Sequence, residues 1–210
     1  MQHFTDMEIK VITTRQYGTN CYLLENNNSA AVIDPGEAEP EILEFCEEQK
    51  DKQLKYIILT HCHFDHIGGV EAVKDIWNCP VIISRDEAEG LTDNRINLSG
   101  YWTPEAISIT PDITVSDGDI IELSEDTLRV IETPGHTKGS VCYLWNKVLF
   151  GGDTIFRMSV GRTDLPTADY NSLISSLKKL ATLDEDVLVL SGHGPKTTIG
   201  FEKANNPYML

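Results

Sequence analysis

Alternating and continuous apolar runs divide the first part of the chain into short strands and two amphipathic helices. Residues 7–14, "MEIKVITT", alternate apolar and polar side chains, as expected of a strand with one buried face. Residues 55–60, "KYIILT", are almost wholly apolar, which favours a strand that is covered on both faces. The other elements predicted here are strands at 21–25, 30–33 and 80–84 and helices at 39–50 and 67–77.

The second part of the chain repeats this order after a stretch of weak patterning. Between residues 85 and 112 the pattern indicates only a short helix near 85–91 and then a loop. Beyond it, the sequence predicts strands at 118–123, 128–133, 140–145, 147–152 and 186–192, a tight hairpin turn at 146–147 and a helix at 169–182. Because each half runs strands, helix, strand, we expect two sheets packed face to face with helices outside.

The composition suits one globular domain, but the charge is far from balanced. Hydrophobic residues make up 40% and charged residues 24% of 210 residues, which is enough for a sizeable core in a single domain of residues 1–210. There are 17 Lys and Arg against 33 Asp and Glu, a formal net charge of −16. Such a surface repels nucleic acid and anionic membranes, so we expect neither as a partner.

Cysteine usage and the first residues bear on the cellular compartment. The five cysteines are scattered, odd in number and without a C-x-x-C pair, which excludes a disulfide framework and a thiolate zinc knuckle. The beginning, "MQHFTDMEIK", has no basic segment followed by an apolar one, and no apolar run reaches transmembrane length. A cytoplasmic location is therefore expected.

Histidines are concentrated where predicted strands end. The stretch "LTHCHFDHIGG" (59–69) places three of the six histidines within six positions after a buried strand. His136, Asp153 and His193 each follow another predicted strand, at "TPGH", "FGGD" and "LSGH". Strand ends can converge at one edge of a sandwich, where sites are commonly built. Only His3 stands apart, and it is expected to be a disordered terminal residue.

The spacing of these side chains suggests two neighbouring metal sites. His61 and His63, two positions apart on an extended segment, point the same way and can hold one ion, which His136 would complete. A second ion would be held by Asp65, His66 and His193, and Asp153 would bridge the two ions. A set of histidines and carboxylates without thiolate suits two divalent ions, with zinc favoured and iron or manganese acceptable.

The same motifs resemble those of a known family. "THCHFDHIGG", "TPGHTKGS", "LFGGDTIF" and "LSGHGPKTT" are similar, in order and spacing, to the metal motifs of the metallo-β-lactamase superfamily. The loop "SVGRTDLP" and the tail "TTIGFEKANNPYML" resemble a short, single-domain, glyoxalase-II-like branch of it. The resemblance implies an α/β (α+β) fold, the four-layer αββα sandwich. It also implies metal ligation by seven residues: His61, His63, Asp65, His66, His136, Asp153 and His193.

Two departures from better-known members shape the expected activity. Longer glyoxalase II enzymes carry a C-terminal helical domain that grips glutathione with basic residues, and we expect no such domain here, since the chain ends soon after His193. Secreted two-zinc β-lactamases usually have cysteine where Asp153 stands and begin with a signal peptide. On this basis β-lactamase activity is not expected.

Several other residues are assigned smaller roles or left open. Cys62 lies between two candidate ligands, but strand alternation turns its side chain away into the core. Asp34 either supports the site from behind or only shapes a turn, and Asn20 caps or braces a loop. Expectations for the remaining polar and aromatic candidates are an Arg162–Asp164 pair, solvated charges at Lys138, Arg157 and Lys196, and either a pocket mouth or packing under a loop for Tyr101 and Trp102.

The resemblance implies a metal-dependent hydrolase that cleaves a small acyl-thiol such as S-lactoylglutathione. A metal-bridging hydroxide would attack the thioester carbonyl, with Asp65 as the catalytic residue that orients it. One rival is a persulfide dioxygenase with a single iron held by His61, His136 and Asp153. The others are cleavage of a lactone or phosphodiester and a metal-binding domain without activity.

Overall fold

Two six-stranded sheets, packed face to face between helices, form the part of the chain that the structure describes. The structure is a computed structural model that describes residues 7–209, and His3 lies outside this range. The first sheet has the order β1-β2-β3-β4-β5-β6 and the second β14-β13-β10-β9-β8-β7, while β11 and β12 form a separate pair. No helix within residues 7–209 has both the length and the apolar character needed to cross a membrane.

The strands are short and the helices few. In the first sheet lie β1 (Glu8–Thr13), β2 (Asn20–Glu25), β3 (Ser29–Ile33), β4 (Leu54–Ile58), β5 (Val81–Ser84) and β6 (Ile113–Val115). The other strands are β7 (Ile120–Leu123), β8 (Asp126–Glu132), β9 (Val141–Trp145), β10 (Val148–Gly152), β11 (Ile155–Phe156), β12 (Ser159–Val160), β13 (Leu188–Ser191) and β14 (Thr197–Thr198). The helices are α1 (Pro40–Glu48), α2 (Phe64–Ile67), α3 (Val70–Trp77), α4 (Ala88–Thr92), α5 (Ser99–Trp102), α6 (Tyr170–Leu180) and α7 (Ile199–Asn205).

Three apolar clusters hold the layers together. The first packs the outer face of the first sheet against α1 and α3, through residues such as Val32, Ile42 and Val73. A second, between the sheets, contains Tyr143 and Phe150 among its buried side chains. The third packs the second sheet against α6 and α7. The predicted four-layer αββα sandwich is confirmed, and alternate residues of each strand serve the two faces.

Strand direction brings the candidate site to one edge. In the first sheet β3, β4 and β5 run parallel, and in the second β10 runs parallel to β13. Since β8 and β10 are each antiparallel to β9, β8 shares their direction. The carboxyl ends of β8, β10 and β13 therefore emerge at the same edge of the second sheet. A hydrogen bond from the Val141 amide to the Thr60 carbonyl (3.0 Å) ties the segment after β4 to this edge.

The structure corrects the prediction in its shortest elements. The helix predicted at 67–77 begins later, as α3, and Ile67 instead ends the short helix α2. Between them, Gly68 and Gly69 pass so close to the preceding loop that a Cβ would lie 2.4 Å and 2.5 Å from the carbonyl oxygens of Gly36 and Glu37. The sequence pattern missed β6, β11, β12, β14, α5 and α7 altogether. Each of these strands has only two or three residues, too few to show an alternation.

Candidate metal centre

Seven side chains from four separate segments meet at this edge. His61 follows β4, His63 precedes the first turn of α2, and Asp65 and His66 lie within that helix. His136 follows β8, Asp153 follows β10 and His193 follows β13. Their ligand-type atoms fall into three overlapping groups, each within 4.8 Å: His61, His63 and His136; His61, His66 and Asp153; and Asp65, His66 and His193.

The first group consists of three buried histidines. Nδ1 of His63 lies 3.0 Å from Nε2 of His136, and the ring centroids of His61 and His136 are 4.9 Å apart. Burial, followed by the neighbouring imidazoles, lowers the pKa of His61 well below its ordinary value. Burial likewise lowers the pKa of His63 to about 3. Both rings are therefore neutral near pH 7, which is the form that binds a metal ion.

The group of Asp65, His66 and His193 lies beside the three histidines and is partly open to solvent. Nε2 of His193 is 3.2 Å from Oδ2 of Asp65, and Nε2 of His66 is 3.7 Å from the same oxygen. The His66 side chain is fully buried, whereas those of Asp65 and His193 are 19% and 29% exposed. The site is therefore approached from solvent on the side of Asp65 and His193.

Asp153 lies between the three-histidine group and the group of Asp65, His66 and His193. Its Oδ1 is 3.3 Å from Nε2 of His66, and its Oδ2 is 3.6 Å from Nε2 of His136 and 3.7 Å from Nε2 of His193. Burial would raise the pKa of this carboxyl, but the adjacent His66, His136 and His193 outweigh it and hold the pKa below its usual range. The carboxylate is therefore ionised, and it lies within 3.7 Å of ring nitrogens of both groups.

Hydrogen bonds on the outer side of the rings fix which nitrogen faces the centre. Nδ1 of His136 lies 2.8 Å from the Arg162 carbonyl and Nδ1 of His193 lies 3.2 Å from the Gly18 carbonyl. Since a carbonyl oxygen only accepts, both Nδ1 atoms carry a proton, and Nε2 is the ring nitrogen that faces the centre. Such outer partners orient metal-binding histidines and set their tautomer.

Asp34 plays the same part for two further rings. Its Oδ2 accepts from Nδ1 of His66 (2.9 Å) and from the Thr60 hydroxyl (2.6 Å). The Thr60 hydroxyl, by donating to Asp34, is left to accept from Nδ1 of His61 at 3.0 Å. Of the two alternatives for Asp34, support of the site from behind is confirmed. Thr60 was not predicted as part of the site, although its position directly between a buried strand and His61 could have indicated such a role.

The side chains present fit a bound cation. Nε2 of His61, His63 and His66 and Oδ1 of Asp153 are buried and have no hydrogen-bond partner among the residues that the structure describes. A buried polar atom left without a partner costs about 1–3 kcal/mol, and such atoms are rare in native proteins. Two of them, Nε2 of His66 and Oδ1 of Asp153, lie 3.3 Å apart at the centre, and a divalent ion bound there would satisfy both.

Close backbone approach leaves no room for larger residues beside these ligands. A Cβ at Gly192 would lie 2.3 Å from Oδ1 of Asp153 and 2.8 Å from Cε1 of His66. Gly152 adopts a φ of 47°, and a Cβ there would lie 2.5 Å from the Thr60 hydroxyl. Gly152 and Gly192 thus allow the second sheet to bring Asp153 against the first.

Most of the smaller expectations are settled. All five cysteines are free and buried, and Cys62 lies in an apolar cluster, as predicted. Asn20 braces the segment that carries His193, because its amide donates to the carbonyls of Ser191 (3.0 Å) and Gly194 (2.9 Å). The predicted Arg162–Asp164 pair is present, with contacts of 2.6 Å and 2.8 Å.

Among the other candidates, the expectation holds for the charged residues and one alternative fails for the aromatic pair. Lys138 and Arg157 are exposed, as expected, although Lys138 also pairs with Glu89 at 2.7 Å and Arg157 stacks 4.2 Å above the Phe201 ring. Lys196 is exposed, as expected. Packing under the loop is wrong for Tyr101 and Trp102, which are 69% and 66% exposed. The Trp102 ring stacks on Phe64, between His63 and Asp65, at a centroid distance of 6.5 Å.

An αββα sandwich with convergent histidines and carboxylates at one sheet edge defines a class of metal-binding proteins. The family model of the metallo-beta-lactamase superfamily matches residues 14–193, and the chain belongs to that superfamily. Members bind divalent metal ions and include many metal-dependent hydrolases, which is the class of this protein.

The chain is similar over nearly its full length to several named proteins. The chain is 34% identical to hydroxyacylglutathione hydrolase GloC of Haemophilus influenzae over 97% of its own length and 98% of that protein. It is similar to the crystal structure of the BLEG-1 B3 metallo-beta-lactamase, with a TM-score of 0.87 and 39% identity over 96% of this chain and 99% of that one. It is also similar to TTHA1623 in a di-iron-bound form, with a TM-score of 0.82 and 33% identity over 95% and 99% of the two chains.

Proposed function

We propose that this protein is a metal-dependent thioester hydrolase that acts on a small acyl-thiol such as S-lactoylglutathione. The observation that carries the proposal is the pair of adjacent ligand groups with the ionised Asp153 directed to both. Similarity to hydroxyacylglutathione hydrolase GloC over nearly the full length of both chains supports the thioester as substrate.

The proposed ligands divide into two sets with a shared carboxylate. His61, His63 and His136 would hold one ion and Asp65, His66 and His193 the other, with Asp153 contributing to both. When bound, a pair of divalent ions lowers the pKa of a water molecule between them and so supplies a nucleophile at neutral pH. Zinc is the ion that we favour, and the di-iron form of TTHA1623 supports iron as the alternative.

The chain's own residues determine where the substrate enters and how it is oriented. Asp65 is the catalytic residue that we assign, because it lies on the open side of the centre and its pKa is lowered. Burial opposes this lowering, and the charge of His66 and a hydrogen bond from His193 outweigh it. The ionised Asp65 would accept a hydrogen bond from the attacking water and so orient the lone pair of that water towards the thioester carbonyl. A thiolate leaves readily, because thiol pKa values are only about 8.5, and it needs no strong general acid.

Two other activities have a specific observation behind them. The relative in a di-iron-bound form shows that a protein similar to this chain can hold iron, the metal that a persulfide dioxygenase would need; His61, His136 and Asp153 would then hold a single iron. The similarity to BLEG-1 favours hydrolysis of a β-lactam, against the expectation from Asp153.

One set of parallel assays separates these activities. A single preparation of known metal content is given S-lactoylglutathione, glutathione persulfide under an oxygen electrode, and a chromogenic cephalosporin. We expect thioester turnover to exceed the other two rates by at least about 100-fold, a difference of about 2.7 kcal/mol in barrier. Oxygen uptake or β-lactam turnover without thioester loss would overturn the proposal.

A further inference from the structure

A buried carboxylate outside the ligand set joins the two segments that supply the three-histidine group. Glu87 is 1% exposed and lies in the short turn that follows β5. Its Oε2 accepts from the amide of Cys62 at 2.9 Å, and its Oε1 accepts from the amide of Gly139 at 2.9 Å. Cys62 stands between His61 and His63, and Gly139 stands three residues after His136.

The segment around Glu87 grips the turn after His136 by further contacts. The Ser84 hydroxyl donates to the carbonyl of Gly139 at 2.5 Å, so both polar backbone groups of this glycine are bound to the same segment. A Cβ at Gly139 would lie 2.8 Å from the backbone carbon of Asp86, which shows how closely the two segments approach. This turn has little freedom to move away from Glu87.

The geometry points to Glu87 as a positioning residue that sets the spacing of the three imidazoles. His61 and His63 come from one segment and His136 from another, and Nδ1 of His63 lies only 3.0 Å from Nε2 of His136. Each of the two backbone segments donates one N–H to the same carboxylate. A shift of either would have to break a charge-assisted hydrogen bond in a buried place, where such bonds are strong. Glu87 touches none of the imidazoles and acts only through the backbone beside them.

This inference rests on the proposed metal centre, and Glu87→Gln tests it. The amide keeps one acceptor and turns an NH₂ group towards the other N–H, so one segment loses its partner while the shape is preserved. The matched control is Glu202→Gln. Glu202 is fully buried and accepts from the Met158 amide (2.8 Å) and the Asn206 side chain (2.8 Å), but it bonds neither histidine segment.

The readout is zinc affinity of the metal-free protein, measured by competition with a chromophoric chelator, together with the visible absorption spectrum of the cobalt-substituted protein. Loss of a contact that orients a metal ligand from outside typically lowers metal affinity by 10–100-fold. We expect Glu87→Gln to weaken zinc binding by the three-histidine group by about 10-fold or more and to alter the cobalt spectrum. Glu202→Gln should lose thermal stability yet bind zinc within about threefold of wild type, with an unchanged spectrum.

Wild-type affinity and spectrum in a folded Glu87→Gln protein would overturn the inference. Glu87→Asp provides a second variant, because its shorter carboxylate keeps the charge but cannot reach both amides, and the same weakening is expected. Failure of both Glu87 variants to fold, while Glu202→Gln folds, would assign Glu87 to the fold and also overturn the inference. If wild type itself binds no metal, the proposed function fails instead.

Discussion

Replacement of Asp34 by asparagine should weaken both proposed metal sites, because its Oδ2 supports His66 directly and His61 through the Thr60 hydroxyl. Asp34 is 2% exposed, and its Oδ1 accepts from the Thr60 amide at 2.8 Å. Its Oδ2 accepts from Nδ1 of His66 at 2.9 Å, which leaves Nε2 of His66 free to face Asp65 and Asp153. An asparagine whose carbonyl oxygen still accepts the hydrogen bond from the Thr60 amide turns its NH₂ group towards Nδ1 of His66. That nitrogen must then accept, and the ring proton moves to Nε2, the atom needed by the metal.

The size of the effect follows from the bond that is lost. A hydrogen bond to a charged group contributes about 1.5–3 kcal/mol, which corresponds to about 10- to 150-fold in an equilibrium constant. We therefore expect the Asp65–His66–His193 group to lose about 10- to 100-fold in zinc affinity, the range typical of outer partners of metal ligands. The three-histidine group should be weakened as well, because the same Asp34 oxygen accepts from the Thr60 hydroxyl, which in turn accepts from Nδ1 of His61.

Stepwise zinc titration against a chelator measures this effect, with Asp126→Asn as the control. Asp126 is an equally buried aspartate (2% exposed) that accepts from Asn26 (2.9 Å) and from the Trp145 indole (2.8 Å). Both variants should lose stability, but only Asp34→Asn should weaken zinc binding. Two wild-type zinc steps in Asp34→Asn would refute the reasoning about the His66 tautomer.

Three further predictions concern the centre as a whole. Asp153→Ala should lose metal and activity together, by far more than 10-fold, because Asp153 faces both groups; wild-type turnover at equal metal loading would contradict this. Removal of metal should lower the melting temperature by about 5–10 °C, since an ion at 100 times its Kd adds about 2.7 kcal/mol to the folded state, and calorimetry before and after re-addition checks it. The net charge is −16, and Lys138 and Arg162 are already paired with carboxylates, so the chain offers little to bind the anionic glutathione carrier. We therefore expect kcat/KM for S-lactoylglutathione to exceed that for a short acyl-thiol by less than about 1,000-fold. A larger ratio would indicate a clamp for the glutathione carrier.

The long elements and the candidate ligands were predictable because each leaves a local pattern. The alternation in Glu8–Thr13 and the apolar stripe of Tyr170–Leu180 appear in the structure close to their predicted bounds. The ligands were recognisable because histidine and aspartate recur directly after predicted strands. Their convergence then follows from strand direction alone, which puts the carboxyl ends of β8, β10 and β13 on one side.

What could not be predicted depends on contacts between distant segments. Glu87 is one of three acidic residues in "RDEAEGL", and nothing local distinguishes it from Asp86 and Glu89, which are not buried. Its role arises only when Cys62 and Gly139, 25 and 52 residues away along the chain, meet its two oxygens. Similarly, the break between α2 and α3 depends on the close approach of a separate loop, which helical periodicity does not record.

The count of metal ions per chain tests the account most directly. The protein is stripped with a chelator, loaded with excess zinc, passed through a desalting column and analysed for zinc and sulfur in the same run, so that sulfur reports the protein concentration. Two zinc ions per chain are predicted, because seven ligands exceed the four that one tetrahedral zinc site uses. Saturation at one ion, with no change on His66→Ala or His193→Ala, would contradict the two-metal centre on which the proposed hydrolysis rests.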